Sequence, residues 1–349
     1  MKKIIEKILQ GQRINKNQGM TLYNNAELLT LARLAEQKRF QLHPEKIVTF
    51  VIDRNINYTN ICVSQCKFCA FFKTPSHKKG YVLSKESLHK KIKETIKLKG
   101  TQILLQGGMN PDLTLDYYID LLKYIKTNFN IHIHGFSPPE ICFIAEKSSL
   151  PISKTISILK KAGLNSIPGG GGEILCDEIR KKISPNKCMT DSWLNVMEQA
   201  HNQGLRTTAT MMFGHIEKPD HIFKHLEKIR NLQDQTKGFT AFIPWTFQPD
   251  NTKINVKKAG GVEYLRVLAL SRIFLDNIDN IQASWVTQGD KIAQTALFFG
   301  ANDIGSTMIE ENVVSSTGVD FMIPPKELKR LITKAGFEPK QRDCFYNLI

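Results

Sequence analysis

From residue 47 onward the chain alternates between two patterns of apolar and polar positions. One pattern is short and apolar or strictly alternating, as in IVTFV at 47–51, and predicts a β-strand; the other repeats apolar residues every three or four positions and predicts a helix. The strand-like segments are 47–60, 101–108, 131–137, 164–173, 205–215, 238–247, 281–286 and 301–309. The helix-like segments are 84–100, 115–129, 153–163, 191–204, 221–235, 261–276, 289–300 and 324–337.

The helix signals are clear in the segment that follows the first strand. Ser84 is a candidate N-cap, and Leu88, Ile92 and Ile96 recur at four-residue steps, which places them on one face. Gly100 is a stop signal at the end of the same segment. A helix here would connect the first predicted strand to the next one at 101–108.

Eight strands separated by helices predict parallel strands joined by right-handed crossovers. We therefore expect an α/β protein with a (β/α)8 barrel over residues 46–349 that ends in a C-terminal helix. Residues 1–45 carry the helical pattern and are expected to form an N-terminal helical extension. A doubly wound sheet is the alternative, although no G-x-G-x-x-G follows the first strand as a dinucleotide-binding fold would require.

Composition narrows the picture without deciding it. The chain has 349 residues, 41% of them hydrophobic, and a formal net charge of +15. Such a charge indicates either a field for anionic ligands or nucleic acid, or a lysine-rich solvated surface; the scattered lysines favour the surface. Seven cysteines, an odd number, disfavour a disulfide framework. With no signal peptide and no long apolar run, we expect a cytoplasmic protein without membrane insertion.

Three of the cysteines form the clearest motif. Cys62, Cys66 and Cys69 lie in a C-x3-C-x2-C array in the loop after the first predicted strand. Structural zinc sites use four ligands, so a zinc site here would need a distant fourth residue. Three thiolates can instead hold three irons of a 4Fe–4S cluster and leave the fourth iron free to bind a small molecule. Three unrelated buried cysteines are the remaining alternative.

Other candidate residues lie towards the ends of predicted strands or in the loops that follow them, and in a barrel these loops share the face where active sites lie. Each has a structural alternative: a plain turn for a glycine, a helix cap for a serine or glutamate, and core packing for a histidine or tryptophan. The candidates are Gly107, Gly108, His134, Ser137, Glu140, Glu173, Gly214, His215, Glu217, Trp245, Gln248, Ser284 and Trp285. Their convergence on one face points to an enzyme.

The cysteine array, with the aromatic Phe68 before its third cysteine, resembles the signature of the radical S-adenosylmethionine (SAM) superfamily. The resemblance implies a TIM-type radical SAM barrel, a 4Fe–4S cluster on Cys62, Cys66 and Cys69, and SAM bound to the open iron. An electron from a low-potential flavodoxin or ferredoxin would cleave SAM to methionine and a 5′-deoxyadenosyl radical, which then abstracts a substrate hydrogen.

The same resemblance suggests SAM-binding roles, while position and residue type suggest the general bases and the substrate residues. The predicted SAM-binding residues are Phe68, Gly107, Gly108, Ser137, Glu140, Glu173, Gly214 and Glu217. The predicted general bases are His134 and His215. The predicted substrate residues are Trp245, Gln248, Ser284 and Trp285, where an aromatic ring of the substrate would stack.

Longer stretches, among them HGFSPPEI, FIPWTFQPDNT and QASWVTQG, resemble the enzymes that cyclise dehypoxanthine futalosine in menaquinone biosynthesis. That resemblance implies hydrogen abstraction from the ribose and carbon–carbon bond formation to a benzoate ring, on an anionic small-molecule substrate. Aminofutalosine synthases and deazaflavin-chromophore synthases share GANDIGSTM and are the enzyme alternatives. Met109 stands where a histidine is expected, so that position receives no role as a proton acceptor.

A non-enzyme interpretation has one feature in its favour. A basic iron–sulfur or zinc protein that binds nucleic acid would account for the charge of +15. The chain has no groove-reading motif to go with it. We therefore expect no nucleic-acid partner.

Overall fold

The structure is a computed structural model that describes residues 1–319 and 322–349. Its strands are β1 Ile47–Val51, β2 Asp53–Asn57, β3 Gln102–Gln106, β4 His132–Gly135, β5 Ser166–Ile167, β6 Arg206–Phe213, β7 Phe239–Thr246, β8 Asn280–Ile281, β9 Asp303–Ser306 and β10 Glu338–Gln341. Its α-helices are α1 Lys2–Leu9, α2 Lys16–Asn25, α3 Leu28–Leu42, α4 Lys85–Lys97, α5 Leu115–Asn128, α6 Pro138–Lys147, α7 Ile152–Ala162, α8 Asp177–Ile183, α9 Thr190–Asn202, α10 Pro219–Thr236, α11 Gly261–Phe274, α12 Trp285–Ala296 and α13 Pro325–Lys334.

The strands close into a parallel barrel with helices outside. Strands β2 to β8 form a seven-stranded parallel sheet in chain order. A parallel bridge joins Gln282, next to β8, to Asp303 of β9, and β9 pairs in parallel with β1. Because only Ile52 separates β1 from β2, the ring closes on the strand where it began. The predicted (β/α)8 barrel is confirmed, and the doubly wound alternative is wrong.

Helix α4 shows how the outer layer packs on the barrel. The Ser84 hydroxyl accepts a hydrogen bond from the Ser87 N–H at 3.1 Å, which caps the helix as the sequence predicts. Leu88 and Ile92 are fully buried, whereas Ile96 is exposed because it lies in the last turn of the helix. The apolar stripe therefore covers the barrel along most of the helix.

Three helices precede the barrel and pack on its α10–α11 side. A Cβ on Gly19 of α2 would lie 2.4 Å from the Phe223 ring of α10, so the two helices approach closely. Arg13 pairs with Asp234 of α10 at 2.6 Å and with Asp276, just after α11, at 2.9 Å, and both pairs hold the same extension on the barrel. In the part of the chain that the structure describes, no helix has the length and apolarity that a membrane crossing requires.

The C-terminal region differs from the predicted closing helix. Helix α13 is followed by β10, which runs parallel to β1 with Glu338 opposite Ile47. The residues after β10 turn under the barrel, where Arg342 forms a buried ion pair with Asp303 at 2.6 Å. The sequence of β10, EPKQ, is polar and contains proline, so its pattern does not predict a strand.

The segment predicted as a strand over 281–286 also differs. Strand β8 ends at Ile281, and Ser284 is the N-cap residue of α12, which begins at Trp285. Periodicity cannot separate a strand from a helix start in an apolar run of this length. Ser284 and Trp285 therefore lie at a helix N-terminus on the carboxyl-end face of the barrel.

Candidate active site

The three cysteines of the array lie in a loop whose two ends meet. The Cys62 N–H donates to the Lys73 carbonyl at 2.9 Å, and the Lys73 N–H donates to the Asn60 carbonyl at 2.8 Å. Within the loop, the Cys69 N–H donates to the Cys66 carbonyl at 3.1 Å, which forms a turn between the last two cysteines. All three are free thiols, Cys66 buried and the others half-buried. The loop therefore gathers three thiols at the carboxyl-end face.

This donor set fits an iron–sulfur cluster. Among residues 1–319 and 322–349, no three His, Cys, Asp or Glu side chains are grouped as ligands of a single metal ion. A 4Fe–4S cluster makes a different demand, because each thiolate binds a separate iron and the thiols stand farther apart than the ligands of one zinc ion. Burial raises the pKa of the Cys66 thiol to about 11, and iron binding would displace its proton. Cys62, Cys66 and Cys69 would thus hold three irons.

A half-buried lysine lies beside the cysteine loop. The Lys187 Nζ lies 4.9 Å from the centroid of the Phe68 ring and donates to Glu173 Oε1 at 2.9 Å. Burial alone would lower the pKa of Lys187, but attraction to Cys66 and Glu173 raises it, so the amine stays charged. Its positive charge would offset the negative charge of a thiolate-bound cluster. Phe68 packs against this lysine, and its SAM contact stays a prediction.

The glycines after β3 support the cysteine loop from behind. A Cβ on Gly108 would lie 2.1 Å from the Ile61 carbonyl oxygen and 2.8 Å from the Cys62 Cβ. A Cβ on Gly107 would lie 2.5 Å from the Tyr58 ring. Both positions therefore require glycine so that the chain can approach the loop closely. Their predicted contact with SAM stays a prediction.

Ser137 and Glu140 form the capping box of α6. The Ser137 N–H and hydroxyl donate to Glu140 Oε2 at 2.8 and 2.5 Å. The Tyr58 hydroxyl and the Gly107 N–H donate to Glu140 Oε1 at 2.7 and 2.9 Å. Four protein donors thus occupy a carboxylate that is 4% exposed. The structure gives these two residues the capping role that the sequence left open beside SAM binding.

The backbone of the glycine run at 169–172 packs closely against the backbone of β6. The Arg180 guanidinium donates to two carbonyls of the run, at 3.0 and 2.9 Å. A Cβ on Gly169 would lie 2.7 Å from the Thr208 carbonyl oxygen, so the first glycine is needed for this close approach. Glu173 follows the run and lines the interior of the barrel. It is the predicted SAM-binding carboxylate that faces both the interior and the lysine beside the cluster loop.

The Gly214-x2-Glu217 pattern forms a turn at the end of β6. Gly214 has a φ of +84°, and the N–H groups of Gly214 and His215 donate to the Glu217 carboxylate at 2.5 and 2.9 Å. The His215 Nδ1 lies 3.0 Å from the same carboxylate, and its side chain is fully buried. His215 is not among the residues that line the barrel cavity described next, and its role as a general base stays a prediction.

A cavity of about 300 Å³ lies inside the barrel. Most of its wall comes from alternate, inward-facing positions of the strands, and these positions are unusually polar. They include Asp53, Asn55, Gln102, Gln106, His134, Thr208, Thr210, Gln282 and Ser306. Barrels without an interior ligand fill this space with branched apolar side chains. Apolar atoms nevertheless make up most of the surface that lines the cavity, and a mostly apolar cavity with a few polar groups is typical of a small-molecule site.

Three of the four predicted substrate residues line this cavity, namely Trp245, Ser284 and Trp285. The Trp285 Nε1–H donates to a carbonyl of β9 at 2.9 Å, which fixes its ring in the wall. Gln248 does not line the cavity; its amide donates to the Thr287 carbonyl at 3.3 Å and to groups of β7. Gln248 therefore links β7 to α12, and its contact with substrate stays a prediction.

Comparisons with known proteins agree with this geometry. The Radical SAM superfamily profile matches residues 56–229, and the profile described as the CofH/MqnC C-terminal region matches residues 236–349. A cyclic dehypoxanthine futalosine synthase from Halalkalibacterium halodurans is 47% identical over 348 residues, which cover 99% of this chain and 94% of that protein. The chain belongs to the radical SAM superfamily.

Two further proteins are similar to this radical SAM enzyme, one in sequence and one in fold. A 5-amino-6-(D-ribitylamino)uracil–L-tyrosine 4-hydroxyphenyl transferase from Archaeoglobus fulgidus is 42% identical over 324 residues, which cover 91% of this chain and 93% of that protein. The crystal structure of methylornithine synthase (PylB) matches with a TM-score of 0.72 at 18% identity, covering 96% of this chain and 97% of that one. The second likeness shows the fold alone. The superfamily implies a 4Fe–4S cluster and SAM as cofactors.

The floor of the cavity in this radical SAM enzyme was missed by the sequence-based prediction. Arg342, Cys344 and Tyr346, all after β10, close it from below. Among the described lining residues Arg342 is the single Lys or Arg, and it binds both oxygens of Asp303 at 2.6 and 2.9 Å. The cavity wall, in contrast, could have been predicted from the sequence. Polar residues alternate in DRNIN at 53–57, where a barrel strand normally turns apolar residues inward.

Proposed function

We propose that this protein cyclises dehypoxanthine futalosine in menaquinone biosynthesis. The observation that carries the proposal is the position of Glu173, which lines the cavity and binds Lys187, the cation beside Cys66. A substrate in the cavity would therefore lie next to the site where a cluster and SAM bind. The 47% identity to a cyclic dehypoxanthine futalosine synthase supports the choice of substrate.

When bound, the cluster and SAM supply a one-electron cleavage that creates a carbon radical able to remove a hydrogen atom. The protein must hold the substrate within reach and keep quenching groups away. Cys62, Cys66 and Cys69 hold the cluster. The barrel wall encloses the substrate, and Trp245 and Trp285 offer aromatic faces and edges to its benzoate ring.

The polar side chains within the wall suit the other half of the same substrate. Its ribose hydroxyls need hydrogen-bond partners once they leave water. Asn55, Gln106 and Gln282 place amide groups in the cavity wall and meet that need. The substrate would then lose a hydrogen atom from the 4′ carbon of the ribose, and the new bond would form between that carbon and the benzoate ring.

We propose that a low-potential flavodoxin or ferredoxin supplies the electron. The Lys67 N–H donates to the Ile183 carbonyl at 2.8 Å, and the Lys253 N–H donates to the Lys67 carbonyl at 2.8 Å. These backbone contacts bring the exposed side chains of Lys67, Lys181, Lys182 and Lys253 to the rim of the cysteine loop. An acidic redox protein would be attracted to this lysine rim.

A second candidate function is supported by the 42% identity to the archaeal transferase. That reaction would join a hydroxyphenyl group from tyrosine to 5-amino-6-(D-ribitylamino)uracil. It would use the same cysteine loop and an equally polar cavity, because its acceptor also carries a polyol chain. The two functions differ in substrate and in product mass.

The test is an anaerobic assay of the reconstituted enzyme with SAM and a strong reductant. One reaction contains dehypoxanthine futalosine, and a second contains 5-amino-6-(D-ribitylamino)uracil with tyrosine. We expect equal amounts of 5′-deoxyadenosine and of a product two hydrogens lighter than dehypoxanthine futalosine. If a product forms only in the second reaction, the transferase function replaces the cyclase.

A further inference from the structure

Three polar side chains form a continuous hydrogen-bonded line in the barrel wall. His134 on β4 and Ser166 on β5 are direct partners in the parallel ladder. The Ser166 Oγ lies 2.7 Å from His134 Nδ1 and 2.7 Å from His132 Nε2. His132 and His134 are two residues apart on one strand and therefore face the same side. The line runs from one histidine ring through the hydroxyl to the other.

The inner end of this line opens into the cavity. His134 lines the cavity and uses its Nδ1 for Ser166. Its Nε2 has no hydrogen-bond partner among the described residues and is not one of the atoms sealed from solvent. A molecule in the cavity can therefore reach this nitrogen.

The outer end lies at the amino-end face of the barrel. His132 is the first residue of β4 and is half-buried, with its ring 5.1 Å from the exposed ring of Phe345. Its Nε2 is used by Ser166, while its Nδ1 has no partner among the described residues and is not sealed from solvent. Water can therefore reach the far end of the line.

The hydrogen-bonding capacity of Ser166 sets the order of protons. A hydroxyl has one hydrogen and two lone pairs, and Ser166 has a third neighbour, the Cys344 thiol at 3.3 Å. Burial raises the pKa of Cys344 to about 11, so this thiol keeps its proton and can donate it. Ser166 then accepts from one histidine and donates to the other. With His134 Nδ1–H as donor, the His134 Nε2 presents a lone pair to the cavity.

Both rings are neutral at physiological pH, as a proton relay requires. Burial lowers the pKa of His134 to about 3 and that of His132 to about 4. Nearby charges act in both directions: Arg342 and Lys126 disfavour the charged rings, whereas Asp343 favours a charge on His132. A neutral ring passes a proton on without storing it.

We propose that His134, Ser166 and His132 carry the proton released by the reaction from the cavity to solvent. The proposal rests on the proposed function, whose last step removes one electron and one proton from the benzoate ring. The oxidised iron–sulfur cluster, when bound on Cys62, Cys66 and Cys69, would supply the acceptor for the odd electron. The ring C–H bond then breaks, its electron pair restores aromaticity, and its proton goes to His134 Nε2.

Three proton transfers complete the step. The Nδ1 proton of His134 moves to Ser166, and the hydroxyl proton of Ser166 moves to His132 Nε2. His132 then gives its Nδ1 proton to water at the amino-end face. His134 is the residue that touches the substrate, while Ser166 and His132 act through it.

The sharpest test compares Ser166→Thr with Ser166→Val, two side chains of nearly equal shape that differ by a hydroxyl. In a first turnover, both should form 5′-deoxyadenosine at the same rate, because hydrogen abstraction precedes proton loss. We expect Ser166→Val to form the cyclised product roughly 10- to 100-fold more slowly than Ser166→Thr. A role of Ser166 in packing alone would slow both products together.

Two further measurements cover the case in which the wall tolerates neither substitution. His132→Phe keeps the aromatic packing against Phe345 but removes both ring nitrogens, and it should slow product formation to the same extent. In cluster-free protein, ring ¹⁵N shifts should report fixed tautomers for His132 and His134, and exchange between tautomers once the Ser166 hydroxyl is removed. Equal product formation by Ser166→Val and Ser166→Thr, or by His132→Phe and wild type, would overturn the relay.

If the proposed cyclisation itself is wrong, the assays give a different result from the one that overturns the relay. The wild-type enzyme would then yield no product two hydrogens lighter from dehypoxanthine futalosine, whatever residue stands at position 166. The variants are therefore informative once the wild type has shown that product.

Discussion

Two buried carboxylates on the carboxyl-end face do different work in this protein. Glu140 is surrounded by donors from Tyr58, Gly107 and Ser137, so it holds three pieces of chain together. Glu173 is bound by Lys187 and also faces the cavity, so it links the cluster loop to the substrate space. Substitutions at the two positions should therefore separate loss of stability from loss of function.

Replacing Glu140 by Gln should destabilise the fold by about 2 kcal/mol, because the amide group must point its own N–H2 at a backbone N–H whichever way it turns. The measurement is urea unfolding of the cluster-free protein. Glu146→Gln, on an exposed position of the same helix, is the matched control and should change stability little. Equal stability of the two variants would contradict the capping role.

Replacing Cys66 by Ala should abolish cluster binding and reduce SAM cleavage to background, since two thiolates remain for a cluster that needs three. The fold should survive, because the side chain is small and lies in a loop. Iron content and 5′-deoxyadenosine formation measure the effect. Cys176→Ala, at the half-buried N-cap of α8, serves as the control and should retain both. Substantial turnover by the Cys66 variant would contradict the assignment of Cys66 as a cluster ligand.

At the scale of elements, length decided how well a strand could be predicted. Strands β6 and β7 each have eight residues, enough for a pattern to emerge, and their predicted and observed positions agree closely. Strands β5 and β8 have two residues each, and neighbouring strands rather than local pattern define them. Helix α6 was missed because the pattern around Ser137 and two prolines shows only its cap.

The cysteine loop could be predicted because its chemistry lies in eight consecutive residues, Cys62 to Cys69. The relay and the cavity floor could not, because they depend on contacts between distant segments. Ser166 contacts Cys344 across 178 positions of the chain, and Arg342 contacts Asp303 only because the residues after β10 turn under the barrel. Local patterns contain no information on which segment closes the barrel from below.

Replacing Gly108 by Ala tests the support that the turn after β3 gives to the cysteine loop. The added methyl group would overlap the Ile61 carbonyl, so the loop must shift. We expect severalfold lower iron content after reconstitution while the circular dichroism spectrum stays the same. Gly260→Ala is the control, since a Cβ there meets nothing within 4 Å and the backbone φ is −80°. An unchanged iron content would show that the loop does not depend on this glycine.

At the scale of the whole molecule, part of the net charge of +15 is concentrated in the lysine rim beside the cysteine loop. Most lysines are scattered on outer helices, but Lys67, Lys181, Lys182 and Lys253 surround the point where an electron must enter. A field of this kind raises the rate of encounter with an acidic partner and fades with salt. The net charge thus bears on the electron donor more than on nucleic acid.

Reversing two of these charges, with Lys67→Glu and Lys253→Glu together, should slow cluster reduction by flavodoxin roughly tenfold at low salt. Reduction by dithionite, a small reagent, should stay nearly the same. Lys334→Glu together with Lys46→Glu, at the end of α13 and directly before β1, makes the same change in net charge near the amino-end face and is the control. Stopped-flow absorbance of the cluster measures both variants and the wild type. Equal slowing by the control pair would show that net charge, and not the lysine rim, governs the encounter.

Barrel closure also has a consequence for how the protein is made. Thr49 of β1 is held by Asp303 of β9, 254 positions later, and β10 comes later still. At roughly 5–20 residues per second, a ribosome needs roughly 13 to 50 seconds to produce that partner. During this time the apolar strand β1 has a free edge, which is prone to aggregation. The cysteine loop is also made before the rest of the barrel that surrounds it. Nascent chains should therefore need a chaperone, and cluster insertion should follow release.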